Sequence, residues 1–199
     1  MRQRETYCGT TTYTISDAMI VTPGRYGAAP DFATYLTTVT DNAALWAAVY
    51  RTASVSEETV ARARDLPGSW KLLALTEDWC GDAVNSLPIL ARLVEQVPTF
   101  ELRLLGRDAN PDLMDSHLTG LSRSIPVVMV FDESMTEVGW WGPRPLALQR
   151  WFLDEGIRLE KDERYKWIRS WYARDRGRTI LDEILTIAED GLRISVGAR

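Results

Sequence analysis

An apolar run, Lys71-Leu72-Leu73-Ala74-Leu75-Thr76, stops at Glu77-Asp78-Trp79-Cys80-Gly81-Asp82-Ala83 and gives way to an amphipathic stretch from Val84 to Val97. No other feature of the 199-residue chain constrains its fold as much. The first segment reads as a buried strand and the second as a helix carrying Pro88. A strand that feeds directly into a helix puts Cys80 at the helix N-terminus, where the peptide dipoles favour negative charge and lower a thiol pKa. Asp82 works against this, because a carboxylate beside the sulfur disfavours a second negative charge, and Asp78 adds to the effect if it points inward. An exposed helix dipole is worth only ~0.3–1 kcal/mol. The opposing effects nearly cancel, and the expected depression of the Cys80 pKa is modest.

The segments around this junction are ordered around a sheet. Residues 1–29 lack periodicity and hold Pro23-Gly24-Arg25-Tyr26-Gly27, which reads as a mobile arm with one turn. Residues 30–67 read as a helical lead-in packed on the core. Its N-caps are expected at Asp31, Asp41 and Ser56, and Leu66-Pro67-Gly68 ends it. Leu45, Trp46, Val49 and Tyr50 share one helical face. Beyond the first strand and helix, Phe100–Leu105 alternates as a strand. A helix or turn follows at about 111–119, with His117 expected on its surface. Ile125–Phe131 and Thr136–Trp141 read as strands joined by a hairpin-length connection, and 146–155 as a helix after Pro143 and Pro145. Trp140 and Trp141 read as packing residues. From residue 70 the order is β-α-β-α-β-β-α. Residues 157–199 read as a helical extension, with apolar faces at Ile168, Trp171 and Tyr172 and at Ile180, Leu181, Ile184 and Leu185.

Composition narrows the function. Hydrophobic residues make up 45% of the chain, enough for a globular core. A net charge of −5 argues against nucleic acid as a partner. No apolar run approaches the ~20 residues that cross a bilayer, and residues 1–16 lack the apolar core of a secretory signal. A cytoplasmic location is the expectation, with no membrane partner and a monomer or weak dimer. Two cysteines, Cys8 and Cys80, cannot form a disulfide scaffold, and with His117 as the single histidine no metal cluster of His and Cys spacing can be drawn; a carboxylate-only site stays open, though no spacing suggests one. No cofactor is expected.

The β-α-β-α-β-β-α order with Trp79-Cys80 at the first strand-to-helix turn resembles the thioredoxin fold. Pro88 stands where thioredoxins carry a kinking proline in the helix. Arg123-Ser124-Ile125-Pro126 is similar to the family's Arg-Gly-Ile-Pro, whose proline is cis and faces the reactive cysteine. Gly139 and Gly142 end the last strand, where the family places a glycine beside its active site. The resemblance covers about residues 68–156. It implies an α/β thioredoxin fold, a central mixed sheet flanked by helices, here with helical additions at both ends. More narrowly, Glu77-Asp78-Trp79-Cys80-Gly81-Asp82 and the run after Arg123 resemble a group of bacterial thioredoxin-family proteins with a helical lead-in.

Two departures bear on activity. Ala83 replaces the family's second redox cysteine, and Ala74 replaces its buried aspartate. A two-cysteine cycle at these positions is therefore closed. What remains is a single-cysteine disulfide-exchange protein, a possible oxidoreductase, in which Cys80 forms a mixed disulfide with a small thiol or a client protein. Release then falls to an outside thiol or to Cys8. Trp79, Gly81, Asp82, Ile125 and Pro126 would line the peptide-binding edge, and Arg123 would steer an anionic group, unless it is simply a solvated surface arginine; the same choice applies to Arg144. The competing reading is a non-catalytic binding or adaptor module that keeps the groove and uses Cys80 structurally. A peroxide-reducing role is disfavoured because Glu77, not threonine, stands three positions before the cysteine. An iron–sulfur role is disfavoured because the Cys-Gly-Phe-Ser string of monothiol glutaredoxins is not present.

Overall fold

The computed structural model describes residues 21–197. Cys8 lies outside the described residues, so its proposed resolving role meets no geometry here. The centre is a four-stranded mixed sheet in the order β2-β1-β3-β4, formed by β1 (Trp70–Thr76), β2 (Phe100–Gly106), β3 (Val127–Phe131) and β4 (Glu137–Trp141). β1 runs parallel to β2, pairing Leu73 with Arg103. It runs antiparallel to β3, pairing Leu73 with Met129, and β3 is antiparallel to β4. The parallel pair needs a crossover, which α5 (Gly81–Gln96) supplies. Leu72, Leu73, Ala74 and Leu75 are all fully buried, as a strand covered on both faces requires. This is the sheet and the element order that the thioredoxin resemblance implies.

Helices wrap the sheet on either side of this unit. α2 (Phe32–Thr38) starts at Asp31, whose carboxylate accepts the Thr34 amide at 2.8 Å, and α4 (Glu57–Arg64) starts at Ser56, whose hydroxyl accepts the Thr59 amide at 3.2 Å. Between them α3 (Ala43–Thr52) packs on α5, with the Arg92 guanidinium over the Tyr50 ring, and its fully buried Trp46 meets Phe32 and Tyr35 of α2. The cap expected from Asp41 does not form. Asn42 occupies that place in a left-handed conformation, because the Thr40 and Asp41 amides are held by Asp78 instead. α9 (Arg178–Gly197) lies across β4 and β3, and Arg62 of α4 reaches it with a bidentate bond to Glu189 at 2.7 and 3.0 Å. The short α6 (Pro111–Ser116), α7 (Leu146–Asp154) and α8 (Lys161–Asp175) complete the shell.

The described part of the expected N-terminal arm differs from that expectation. Residues 23–28 form a helix, α1 (Pro23–Ala28), with Thr22 as cap and Pro23 at its first position. Tyr26 is buried, and Arg25 bonds Asn110 at 2.8 Å and Asp112 at 2.9 Å. Pro30 then lends its carbonyl to the Leu104 amide at 2.9 Å, covering part of the outer edge of β2. A helix of six residues is too short to show a hydrophobic period, and its anchors lie far along the chain. No helix among the described residues is long and apolar enough to cross a membrane.

Candidate functional site

Cys80 is the N-cap residue of α5, as the strand-to-helix junction dictates. Its amide bonds the Glu77 carbonyl at 3.1 Å, closing the turn, and its own carbonyl takes the Val84 amide at 3.0 Å. The sulfur is turned inward. It donates to the Ile125 carbonyl at 3.3 Å and only 7% of the residue is exposed. The Ile125–Pro126 peptide bond is cis, so the expected pairing of cysteine and proline edge is present in space. Gly142 packs against the same proline: its φ is +131°, and a Cβ there would stand 2.1 Å from the Pro126 carbonyl oxygen.

The electrostatics differ from the expectation. The thiol is pushed up to about 11 rather than modestly down. Burial is the main cause, and the charge of Asp82 adds to it. Hydrogen bonds from the Ala83 and Asp82 amides and the charge of Arg144 pull downward but do not overcome it. The helix-end effect is thus present, and desolvation outweighs it.

Asp82 does not open toward a ligand. Its carboxylate takes the Arg144 guanidinium at 2.7 Å and the Tyr172 hydroxyl at 2.9 Å. Burial still holds it above the ordinary carboxylate value, against the pull of Arg144 and Tyr172. Burial and the Asp82 charge together push the Tyr172 phenol well up. Arg144 also donates to Gln149 at 3.0 Å and lies 4.3 Å over the Phe152 ring. α5, the turn after β4 and α8 therefore meet in one network beside the sulfur. Of these three residues the sequence marks Asp82 as a site residue and Arg144, between two prolines, as a candidate anion guide; it marks Tyr172 only as part of an apolar helical face.

The remaining candidates divide. Trp79 is 47% exposed beside the cysteine, with the Arg107 guanidinium 5.1 Å over its ring. Gly81 is exposed and nothing lies within 4 Å of a Cβ placed on it, so its lack of a side chain leaves open space at the helix start. Arg123 is exposed and forms a bidentate pair with Asp115, both bonds at 2.7 Å, so an incoming anion would compete with that carboxylate. Asp78 points away from Cys80 and accepts the Thr40 and Asp41 amides, each at 2.9 Å, which hold its carboxyl below the usual range. His117 is buried rather than on a helix surface. It bonds the Leu113 carbonyl at 2.8 Å and Glu137 at 2.9 Å and meets Trp140 edge-on. Trp141 is buried and donates to Glu183 at 2.6 Å, as a packing role requires.

A family model described as thioredoxin matches residues 29–164. The chain belongs to the thioredoxin family. Among solved structures, this thioredoxin-family protein is similar to a protein of unknown function from Pseudomonas aeruginosa, with 19% identity and a TM-score of 0.68 over 85% of this chain and 98% of the other. It is also similar to an HIV epitope scaffold, at 19% identity and a TM-score of 0.66 over 83% of this chain and 95% of the other. At that identity the likeness speaks for the fold alone. No curated protein matches the chain.

Proposed function

We propose that this thioredoxin-family protein is a docking module. It receives an extended polypeptide segment along the cis Ile125–Pro126 edge, with Trp79 as the exposed apolar contact and Cys80 as a packed, protonated floor. The observation that carries this reading is the state of the sulfur, which is buried, bonded to the Ile125 carbonyl and pushed up to about 11. A nucleophile needs the thiolate, and this environment stabilises the thiol. Ile125 and Pro126 are themselves buried and the Ile125 carbonyl already accepts from Cys80, so an extended segment would reach this edge through backbone pairing, as an added strand does, with the exposed Trp79 contributing apolar area beside it.

The exchange reading, a mixed disulfide between Cys80 and a small thiol or client protein, is favoured by one feature. The sulfur abuts the residue before Pro126, so a segment bound to that edge would run past it. Replacing Cys80 separates the two. In a Cys8→Ser background, Cys80→Ser is expected to change the binding of unstructured peptides by less than about threefold, under 1 kcal/mol. Isothermal titration of a peptide panel measures it. Loss of binding in Cys80→Ser, or a covalent peptide adduct on Cys80, would favour exchange and overturn the docking reading.

A further inference from the structure

Away from the sulfur, a cleft of about 510 Å³ lies between the end of α3, the outer face of α5 and the C-terminal half of α8. That is within the roughly 300–1,000 Å³ of ordinary small-molecule sites. Its walls divide by chemistry. Val49, Ala53, Ile89 and Ala173 supply apolar surface, and Thr52, Ser54 and Asn85 polar surface. The exposed Arg169 and Arg176 stand at the α8 side. No carboxylate lines it, although the chain as a whole carries a net charge of −5. Among the described residues neither exposed arginine side chain has an ion pair or hydrogen bond, a state they share with Arg51, Arg150 and Arg158, so both guanidinium groups can meet a ligand without giving up a carboxylate.

We infer that this cleft binds a small organic dianion, two oxyanion groups joined by an apolar body. Arg169 lies in α8 and Arg176 caps its C-terminus seven residues on, so their backbones stand about 10 Å apart. That spacing suits two separate anionic groups better than one. Guanidinium groups bind carboxylate or phosphate oxygens in pairs, so each end has a geometrically suited partner. Ala173 lies between them in the chain, and with Val49, Ala53 and Ile89 it gives the cleft apolar surface that suits a hydrocarbon linker better than a polyphosphate. Tyr172 forms part of the same wall while its hydroxyl is held by Asp82. The site does not depend on any reaction at Cys80.

Calorimetric titration at low salt with suberate, an eight-carbon dicarboxylate, tests the inference. Octanoate is the single-anion control and pyrophosphate the control without an apolar body. Suberate is expected to bind saturably below ~1 mM and at least about tenfold tighter than either control. Arg169→Gln and Arg176→Asn are each expected to weaken it about tenfold. Asparagine is chosen because residue 176 sits at φ 55°, a left-handed position that asparagine tolerates. Arg169→Gln, in the regular helix, checks the same claim without touching that cap. Absence of saturable suberate binding, equal binding of either control, or full affinity in both variants would overturn it.

Discussion

Moving the Cys8→Ser protein from pH 7 to pH 10 should raise the reactivity of Cys80 steadily, without a plateau. With the thiol pushed from 9.0 to about 11, about one molecule in 10⁴ holds a thiolate at pH 7, against about one in 10² for an ordinary thiol. A more basic thiolate attacks faster, and a Brønsted coefficient of ~0.4–0.5 recovers roughly eightfold of that ~100-fold deficit. Native Cys80 should then react at least about tenfold more slowly than the same residue in the unfolded chain, and burial of the sulfur slows it further. The assay is the absorbance change on reaction with an aromatic disulfide such as dithiodipyridine, run on native and urea-unfolded protein across pH. The logarithm of the native rate should climb about one unit per pH unit. The same shift of about two units corresponds to ~3 kcal/mol of linkage. The raised folded value means that this stability is fully present below the unfolded value of 9.0 and is lost as pH rises through about 11. Native Cys80 reacting as fast as the unfolded reference at pH 7, or a plateau below about pH 9, would refute the reasoning and restore an activated thiol.

Two further outcomes are expected. His117 is raised above its ordinary 6.5: burial pulls it down, but the hydrogen bond and charge of Glu137 and the Leu113 carbonyl outweigh that pull. The stability it contributes is present below 6.5 and is lost as pH rises through the folded value. Urea unfolding at about pH 5.5 and pH 8 should show this difference in the native protein, and His117→Gln should flatten it. Gly142→Ala forces a Cβ to 2.1 Å from the Pro126 carbonyl at a φ of +131°, so it should destabilise by more than about 2 kcal/mol in the same assay. Gly27→Ala, with nothing within 4 Å, should stay within about 0.5 kcal/mol; equal effects at the two positions would dismiss the role given to Gly142.

The strand-to-helix junction, the order of the elements from residue 70 and the family were legible in the residues. Each rests on local signals: apolar runs, periodicity, caps at Asp31 and Ser56, and a few motif residues at set spacings. The position of Cys80 at a helix start belongs to the same class, because chain connectivity alone puts it there. Its chemistry does not. Whether the sulfur faces water or the Ile125 carbonyl and whether Asp78 turns toward it or toward Thr40 depend on distant segments that no local pattern couples. Burial decides the thiol, since desolvation outweighs the helix end, and burial is a property of what packs on top. Arg144 and Tyr172 reach Asp82 from β4's far turn and from a helix ninety residues downstream. A sequence alone thus determines which groups this protein has and where along its elements they sit; only the tertiary contacts determine the charge they carry and the partners they meet.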